Sequence, residues 1–312
     1  MYDDLIVELT LHQVVDYLKR IDLPEEAEAL ETSLQNGAQK APFATSIEFL
    51  NKLVYAHQLA VPFENLEIHD LKKPVLLGTE ALFDKIVTRY RGGYCFELNK
   101  SFNSLLKALG YQTTSHLGRI QMGRAAPSND PGDVPIDPPP PVRTSPGPPS
   151  HRINLVYVTD QATGETKRYM ADVSFGGPQP AGAILLEVGR HQDLVGGEFN
   201  FYFGDLDPVR GITDETWLLT RISSSGDEQG IVSFEEFRQL EANFVSPNFF
   251  TSMNPESRFV TNRTVNLRRR DGHAMVADDT LRVTSDGQTT EYDISDPTTR
   301  ADLLKQYFRI VL

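Results

Sequence analysis

The chain contains a single cysteine, Cys95, and its surroundings favour nucleophilic chemistry. It follows Arg91-Gly92-Gly93-Tyr94, which combines a cation with two residues that permit tight turning of the backbone. Helical periodicity starts at Cys95, so the thiol lies in a first helical turn, where free N–H groups and the helix dipole stabilise an anion. The pKa of a thiol falls there, and the same N–H groups can hold the oxyanion of an acyl-transfer intermediate. A second interpretation stays open, because lone cysteines are commonly small buried core side chains.

A cysteine nucleophile needs a base and a group that orients the base. Among the seven histidines, His151 is the one that a local pattern places opposite a carboxylate. It begins a predicted strand, 151–158, which turns and returns as 167–173, so that Asp172 comes within roughly two or three residues of His151 across the hairpin. Asp172 lies among residues that favour burial, so its carboxylate needs a partner. His151 is one such partner, and backbone N–H groups are the alternative.

The first third of the chain has the periodicity of helices. Thr10 is a predicted N-cap, Thr45 and Glu48 form a predicted capping box, and a third helix is predicted from Thr79. A fourth helix is predicted at 95–109, before a glycine that can end it. These helices would carry Cys95.

After these helices the period changes from 3.6 to 2, which predicts an antiparallel sheet or small barrel. The stretches with this pattern are 113–122, 151–159, 168–175, 198–203 and 217–222. A helix is then predicted at 234–240, followed by four short strands between 264 and 294 and a last helix from Pro297 to about Phe308.

Residues 127–149 differ in composition from the rest of the chain. They hold ten of the twenty prolines, which prevent both a helix and an interior strand. We interpret them as a loop insertion with polyproline II character. The alternative is a PxxP ligand for a partner domain.

Composition excludes several classes of protein. The chain has 312 residues, 39% of them hydrophobic, which is globular composition. Its net charge of −13 argues against nucleic acid as a partner, and no long apolar run predicts a membrane span. One cysteine excludes an intramolecular disulfide and a cysteine-based zinc cluster, so we predict a reducing, cytosolic location.

Five blocks of sequence occur in an order that resembles a known family. They are 60–66, 91–99, 150–156, 171–176 and 248–259. Together they resemble the arylamine N-acetyltransferase family over about residues 5 to 312, apart from the proline-rich loop. The Arg-Gly-Gly-aromatic-Cys block is highly specific for that family, and the loop elaborations resemble those of fungal members.

The resemblance implies an α+β fold with three domains. These are a helical bundle at 1–111 that carries the nucleophile, an antiparallel β-barrel at 112–215 that includes the loop 127–149, and an α/β lid at 216–312. It also implies a catalytic core similar to that of cysteine proteases and transglutaminases.

The resemblance implies a role for each site residue. Cys95 would accept the acyl group, His151 would exchange its proton, and Asp172 would orient His151. Phe63, Phe175 and Gly176 match positions that line the cleft for substrate and coenzyme A. Ser174 departs from the family, in which glycine is usual there, and this puts amine or acyl selectivity in doubt.

The activity so implied is ping-pong transfer of an acyl group from acyl-CoA to an arylamine or hydrazine. Acetyl-CoA or malonyl-CoA would be the co-substrate, with no permanently bound cofactor, no metal and no protein partner of the proline-rich loop. A thiol hydrolase or transglutaminase-like enzyme would use the same three residues. A non-catalytic relative that binds CoA or a partner is the remaining alternative.

Overall fold

A computed structural model of the protein describes residues 3–121, 147–176, 179–204, 215–223 and 226–312. Helices occupy the first part of the chain, as its periodicity predicts. The described α-helices are α1 Leu11–Arg20, α2 Pro24–Gln35, α3 Ile47–Ala60, α4 Leu66–His69, α5 Thr79–Phe83, α6 Cys95–Ala108, α7 Val245–Met253, α8 Arg258–Thr261 and α9 Pro297–Phe308. None of them is long and apolar enough to cross a membrane.

Helix starts follow the capping signals with one exception. Thr10 caps α1, because its hydroxyl accepts a hydrogen bond from the Gln13 N–H while the Gln13 side chain accepts one from the Thr10 N–H. The predicted capping box at Thr45 is wrong, since Ser46 is the N-cap of α3 and accepts from the Phe49 N–H at 3.2 Å. Helix α2 was not predicted, because it buries only two apolar side chains and has a weak stripe.

The strands form two antiparallel sheets. The described strands are β1 Phe63–Glu64, β2 Gln112–Ile120, β3 His151–Thr159, β4 Thr166–Met170, β5 Ile184–Leu185, β6 Gln192–Leu194, β7 Gly197–Gly204, β8 Thr216–Ile222, β9 Glu228–Glu235, β10 Thr264–Arg269, β11 Gly272–Ala277, β12 Thr280–Ser285 and β13 Gln288–Asp293. The larger sheet has eight strands in the order β5-β4-β3-β2-β9-β8-β7-β6, and it encloses a core of its own. The predicted α+β class is therefore confirmed.

The eight-stranded sheet extends further along the chain than its predicted end at residue 215. Strand β8 pairs with β7 along its whole length, and β9 pairs with both β8 and β2. The domain boundary predicted between residues 215 and 216 therefore falls between β7 and β8, which are paired in one sheet. The helix predicted at 234–240 is wrong, because Phe234 belongs to β9, where it is buried opposite Trp217 in the barrel core.

The smaller sheet has the order β1-β10-β11-β12-β13 and is covered by the last helix. Leu304 and Phe308 of α9 pack on Val265 and Leu267 of β10 in one apolar cluster. Because β1 comes from the helical part of the chain, this sheet also fixes the backbone at Phe63.

Most of the proline-rich loop, residues 127–146, lies outside the described residues, and its conformation and role stay predictions. The described end of the loop approaches β2, where the Arg119 guanidinium donates to the Gly147 carbonyl at 2.6 Å. The chain then enters β3 at His151.

Candidate active site

Cys95 is the first residue of α6, at the position that its sequence predicts. Its side chain is almost fully buried, and its Sγ donates a hydrogen bond to the Ser150 carbonyl at 3.3 Å. Gly92 is required in the turn before it, because a Cβ there would lie 2.0 Å from the Pro62 carbonyl oxygen. The thiol is thus held in the first helical turn, against the residue that precedes β3.

Arg91, the cation in the block before Cys95, has a partner of its own. Arg91 forms a buried ion pair with Glu64, with Nη2 2.8 Å from Oε1. Its charge is neutralised there, so the first turn of α6, rather than Arg91, is the feature that can stabilise an anion at this position.

A buried ion-pair network supports the start of α6. The Glu97 carboxylate accepts from the Tyr94 N–H at 3.0 Å and pairs with Lys85 at 2.7 Å. Burial raises the pKa of Glu97, and Lys85 opposes this shift. Lys85 comes from a π-helical turn, Asp84–Thr88, that interrupts the predicted third helix after α5. Such turns are frequent near functional sites.

His151 and Asp172 meet as the hairpin geometry predicts. The His151 Nε2 lies 2.6 Å from the Asp172 Oδ2, and both side chains are buried. Because Nε2 is engaged by Asp172, Nδ1 is the ring nitrogen left for Cys95. The ring of His151 also stacks on Phe175, with centroids 5.1 Å apart and planes 12° from parallel.

The surroundings of His151 favour its protonated form. Burial alone would disfavour the imidazolium, but the Asp172 carboxylate and a hydrogen bond with Cys95 outweigh it and raise the pKa of His151 to about 10. The His151–Asp172 pair can therefore keep a protonated imidazole beside Cys95 at neutral pH.

Asp172 also has the backbone partner that the sequence left open as the alternative, and with it a side-chain partner that was not predicted. Its Oδ1 accepts from the Ser174 N–H at 2.7 Å and from the Ser174 hydroxyl at 3.1 Å. This local turn takes the chain out of the ladder, so β4 ends at Met170 and the predicted strand 168–175 is shorter than expected. The serine that departs from the family pattern thus contacts the candidate triad.

We predict that Ser174→Ala lowers the rate of Cys95 acylation by about two- to tenfold, because Asp172 loses one hydrogen bond of about 0.5–1.5 kcal/mol and keeps the backbone one. The measurement is single-turnover acylation by acyl-CoA. Ser101→Ala is the control, since its hydroxyl donates to Tyr17 at 3.1 Å, away from the triad. Equal rates for both variants would contradict a role of Ser174 in holding Asp172.

Asn99 connects the three elements that carry the candidate triad. From α6, its side chain donates to the Arg152 carbonyl of β3 at 2.5 Å and accepts from the Val173 N–H at 3.1 Å. The Asn154 side chain donates back to the Asn99 carbonyl at 2.8 Å. The sequence shows that Asn99 lies close to Cys95 in the chain, but it does not show these long-range partners.

The predicted cleft residues surround one cavity of about 550 Å³, which we call the active-site cavity. Cys95 and His151 line it together with Phe63, Phe175 and Gly176. Residues of the fifth sequence block, including Phe250 and Phe259, also line it. Apolar rings, Cys95 and His151 therefore face the same space, which has a volume typical of small-molecule sites.

Comparisons with known proteins agree with this geometry. A family model described as N-acetyltransferase matches residues 46–133 and 140–312. The arylamine N-acetyltransferase / N-hydroxyarylamine O-acetyltransferase of Salmonella typhimurium is 29% identical over 214 residues, which are 69% of this chain and 64% of that relative. N-malonyltransferase FDB2 of Fusarium pseudograminearum is 28% identical over 304 residues, covering 88% of this chain and 81% of the relative.

A solved structure shows the same fold. The arylamine N-acetyltransferase of Mycobacterium marinum in complex with CoA superposes with a TM-score of 0.71 at 26% identity, over 95% of this chain and 92% of that one. The match to the Salmonella relative spans less than two thirds of that protein's length.

Proposed function

Because the chain belongs to the arylamine N-acetyltransferase family, we propose that it transfers an acyl group from acyl-CoA to an aromatic amine or hydrazine. The observation that carries this proposal is the placement of Cys95 at the start of α6, beside a buried His151–Asp172 pair and open to the active-site cavity. The CoA complex of the Mycobacterium marinum relative supports acyl-CoA as co-substrate.

The first half-reaction would acylate Cys95. The Sγ thiolate attacks the thioester carbonyl carbon, and N–H groups of the first turn of α6 hold the oxyanion. As the new carbon–sulfur bond forms, the bond to the CoA sulfur breaks. The imidazolium of His151 gives its proton to that sulfur, and CoA leaves as a thiol.

The second half-reaction would regenerate the thiolate. The amine nitrogen attacks the thioester on Cys95, and neutral His151 accepts the amine proton. The carbon–nitrogen bond forms while the carbon–sulfur bond breaks, so the imidazolium and the thiolate are restored together. Asp172 keeps the ring of His151 oriented through both halves.

The thiol hydrolase or transglutaminase-like alternative differs in the acceptor. We predict parallel double-reciprocal plots for acyl-CoA and arylamine, with amide formed much faster than free acid. Initial rates with acetyl-CoA and 4-methylaniline, with both products quantified by chromatography, test this. Free acid released at the same rate with and without amine would contradict transfer and favour a hydrolase.

The identity of the donor is a separate proposal. The relative named N-malonyltransferase supports malonyl-CoA beside acetyl-CoA. Comparing several acyl-CoA donors with one neutral amine would rank them.

The cytosolic location, the absence of a permanent cofactor and the absence of nucleic-acid or membrane partners also stay predictions.

A further inference from the structure

A second cavity, of about 340 Å³, adjoins the active-site cavity. The two share Phe63 and Gly176 in their walls. Gln58, Arg221 and Arg268 also line the second cavity, together with apolar side chains. It therefore extends from the site of the proposed chemistry towards two guanidinium groups.

Backbone carbonyls, and not carboxylates, hold both guanidinium groups. Arg221 Nε donates to the Gly196 carbonyl at 2.8 Å, and Arg268 Nη2 donates to the Gln179 carbonyl. Among the residues that the structure describes, neither arginine forms an ion pair. A carbonyl orients a guanidinium but leaves its charge uncompensated, so each arginine keeps donors for an anion.

A two-glycine turn brings the arginines together. A Cβ on Gly196 would lie 2.4 Å from the Gln179 oxygen and 3.2 Å from Arg268 Nη2. A Cβ on Gly197 would lie 2.7 Å from Arg221 Nε. Both guanidinium groups therefore contact the same turn between β6 and β7, where larger residues would displace them.

Two buried polar atoms at the second cavity lack a partner within the described residues. They are Gln58 Oε1 and Arg268 Nε. The Gln58 amide is fixed, because its Nε2 donates to the Asp172 and Pro180 carbonyls at 3.2 and 2.8 Å. Buried polar atoms are normally hydrogen-bonded, and a side chain as buried as Gln58, 1% exposed, has little access to bulk water. The Arg268 guanidinium thus keeps a donor that no described residue uses.

We propose that the second cavity is a subsite for the carboxylate of a substrate whose reacting group lies at Cys95. This inference rests on the proposed function. A carboxylate matches the planar fork of a guanidinium, and the pair Arg221 and Arg268 attracts it despite a net charge of −13 on the whole chain. The carboxylate belongs either to the acyl donor, as in a malonyl group, or to the amine acceptor, as in an aminobenzoate.

The test compares charged and neutral substrates in Arg268→Gln. One arm measures acylation of Cys95 by malonyl-CoA and by acetyl-CoA without amine. The other measures transfer from the acetylated enzyme to 4-aminobenzoate and to 4-aminobenzamide. Arg269→Gln is the matched control, because it removes the same charge from the next residue of β10, where Arg269 pairs with Asp271 at 3.2 Å.

We expect Arg268→Gln to lower the second-order rate constant about tenfold or more for the carboxylate substrate in one arm, which identifies the source of the carboxylate, and to lower the constant for the neutral substrate by less than about twofold. Arg221→Gln should act in the same arm, Arg268→Lys should recover part of the loss, and Arg269→Gln should change neither rate. An unchanged ratio of charged to neutral rates in both arms, or equal losses for both substrates, would overturn the subsite. Wild-type acetylation of 4-aminobenzamide tests the proposed function separately, since that reaction involves no carboxylate.

Discussion

Replacing Cys95 by serine should abolish the acyl-enzyme and lower turnover by about a thousandfold or more. The thiolate is the proposed nucleophile, and a serine hydroxyl at the same place ionises far less readily, so it cannot form the ion pair with His151. Intact-mass measurement after incubation with acetyl-CoA, without amine, should show one acetyl group on the wild-type chain and none on Cys95→Ser.

The result is interpretable because the substitution is small and the cysteine is unique. Serine nearly fills the volume of the thiol, so the melting temperature should change little, and thermal unfolding of the variant is the control. Any thiol reagent that blocks acylation of the wild-type protein must act at Cys95. An undiminished adduct on Cys95→Ser would place the acyl group on another residue and end the proposal.

The pairing of His151 with Asp172 could be predicted because a hairpin is a local structure. Its register depends on the lengths of two strands and one turn, all visible in the sequence. The start of α6 at Cys95 was also predictable, since the apolar stripe begins there. Nearby residues in the chain determine both features.

Features that depend on distant contacts were not predictable. The sequence around Phe234 has charged residues at helical spacing, but burial opposite Trp217 makes it a strand. The partner of Arg91 was not predictable either, because Glu64 lies 27 residues away in the chain. The glycine turn and the two arginines that line the second cavity come from three separate segments of the chain. No local pattern therefore predicts that they meet.

Substitutions of His151 and Asp172 should reveal that these residues act as one unit with Cys95. We expect His151→Ala to lower turnover by about a thousandfold or more, and Asp172→Asn by a smaller but still large factor. The double variant should cost little more than His151→Ala alone, because Asp172 acts through the imidazole that His151→Ala has already removed. If the double variant instead lost activity by the product of the two single-variant factors, His151 and Asp172 would have separate roles.

The pH dependence of thiol alkylation gives a readout that a merely structural role of Asp172 would not move. Asp172 raises the pKa of His151, which favours the imidazolium that the proposed mechanism pairs with the Cys95 thiolate. Removing the carboxylate in Asp172→Asn lowers the pKa of His151, and fewer molecules then hold the ion pair at pH 7. Iodoacetamide should therefore alkylate Asp172→Asn more slowly than wild type at pH 7, and the midpoint of the rate profile should move to higher pH.

Ser101→Ala, which loses a buried hydrogen bond away from the triad, should keep the wild-type profile. A profile that stays in place in Asp172→Asn would show that the carboxylate does not control the charge of the pair.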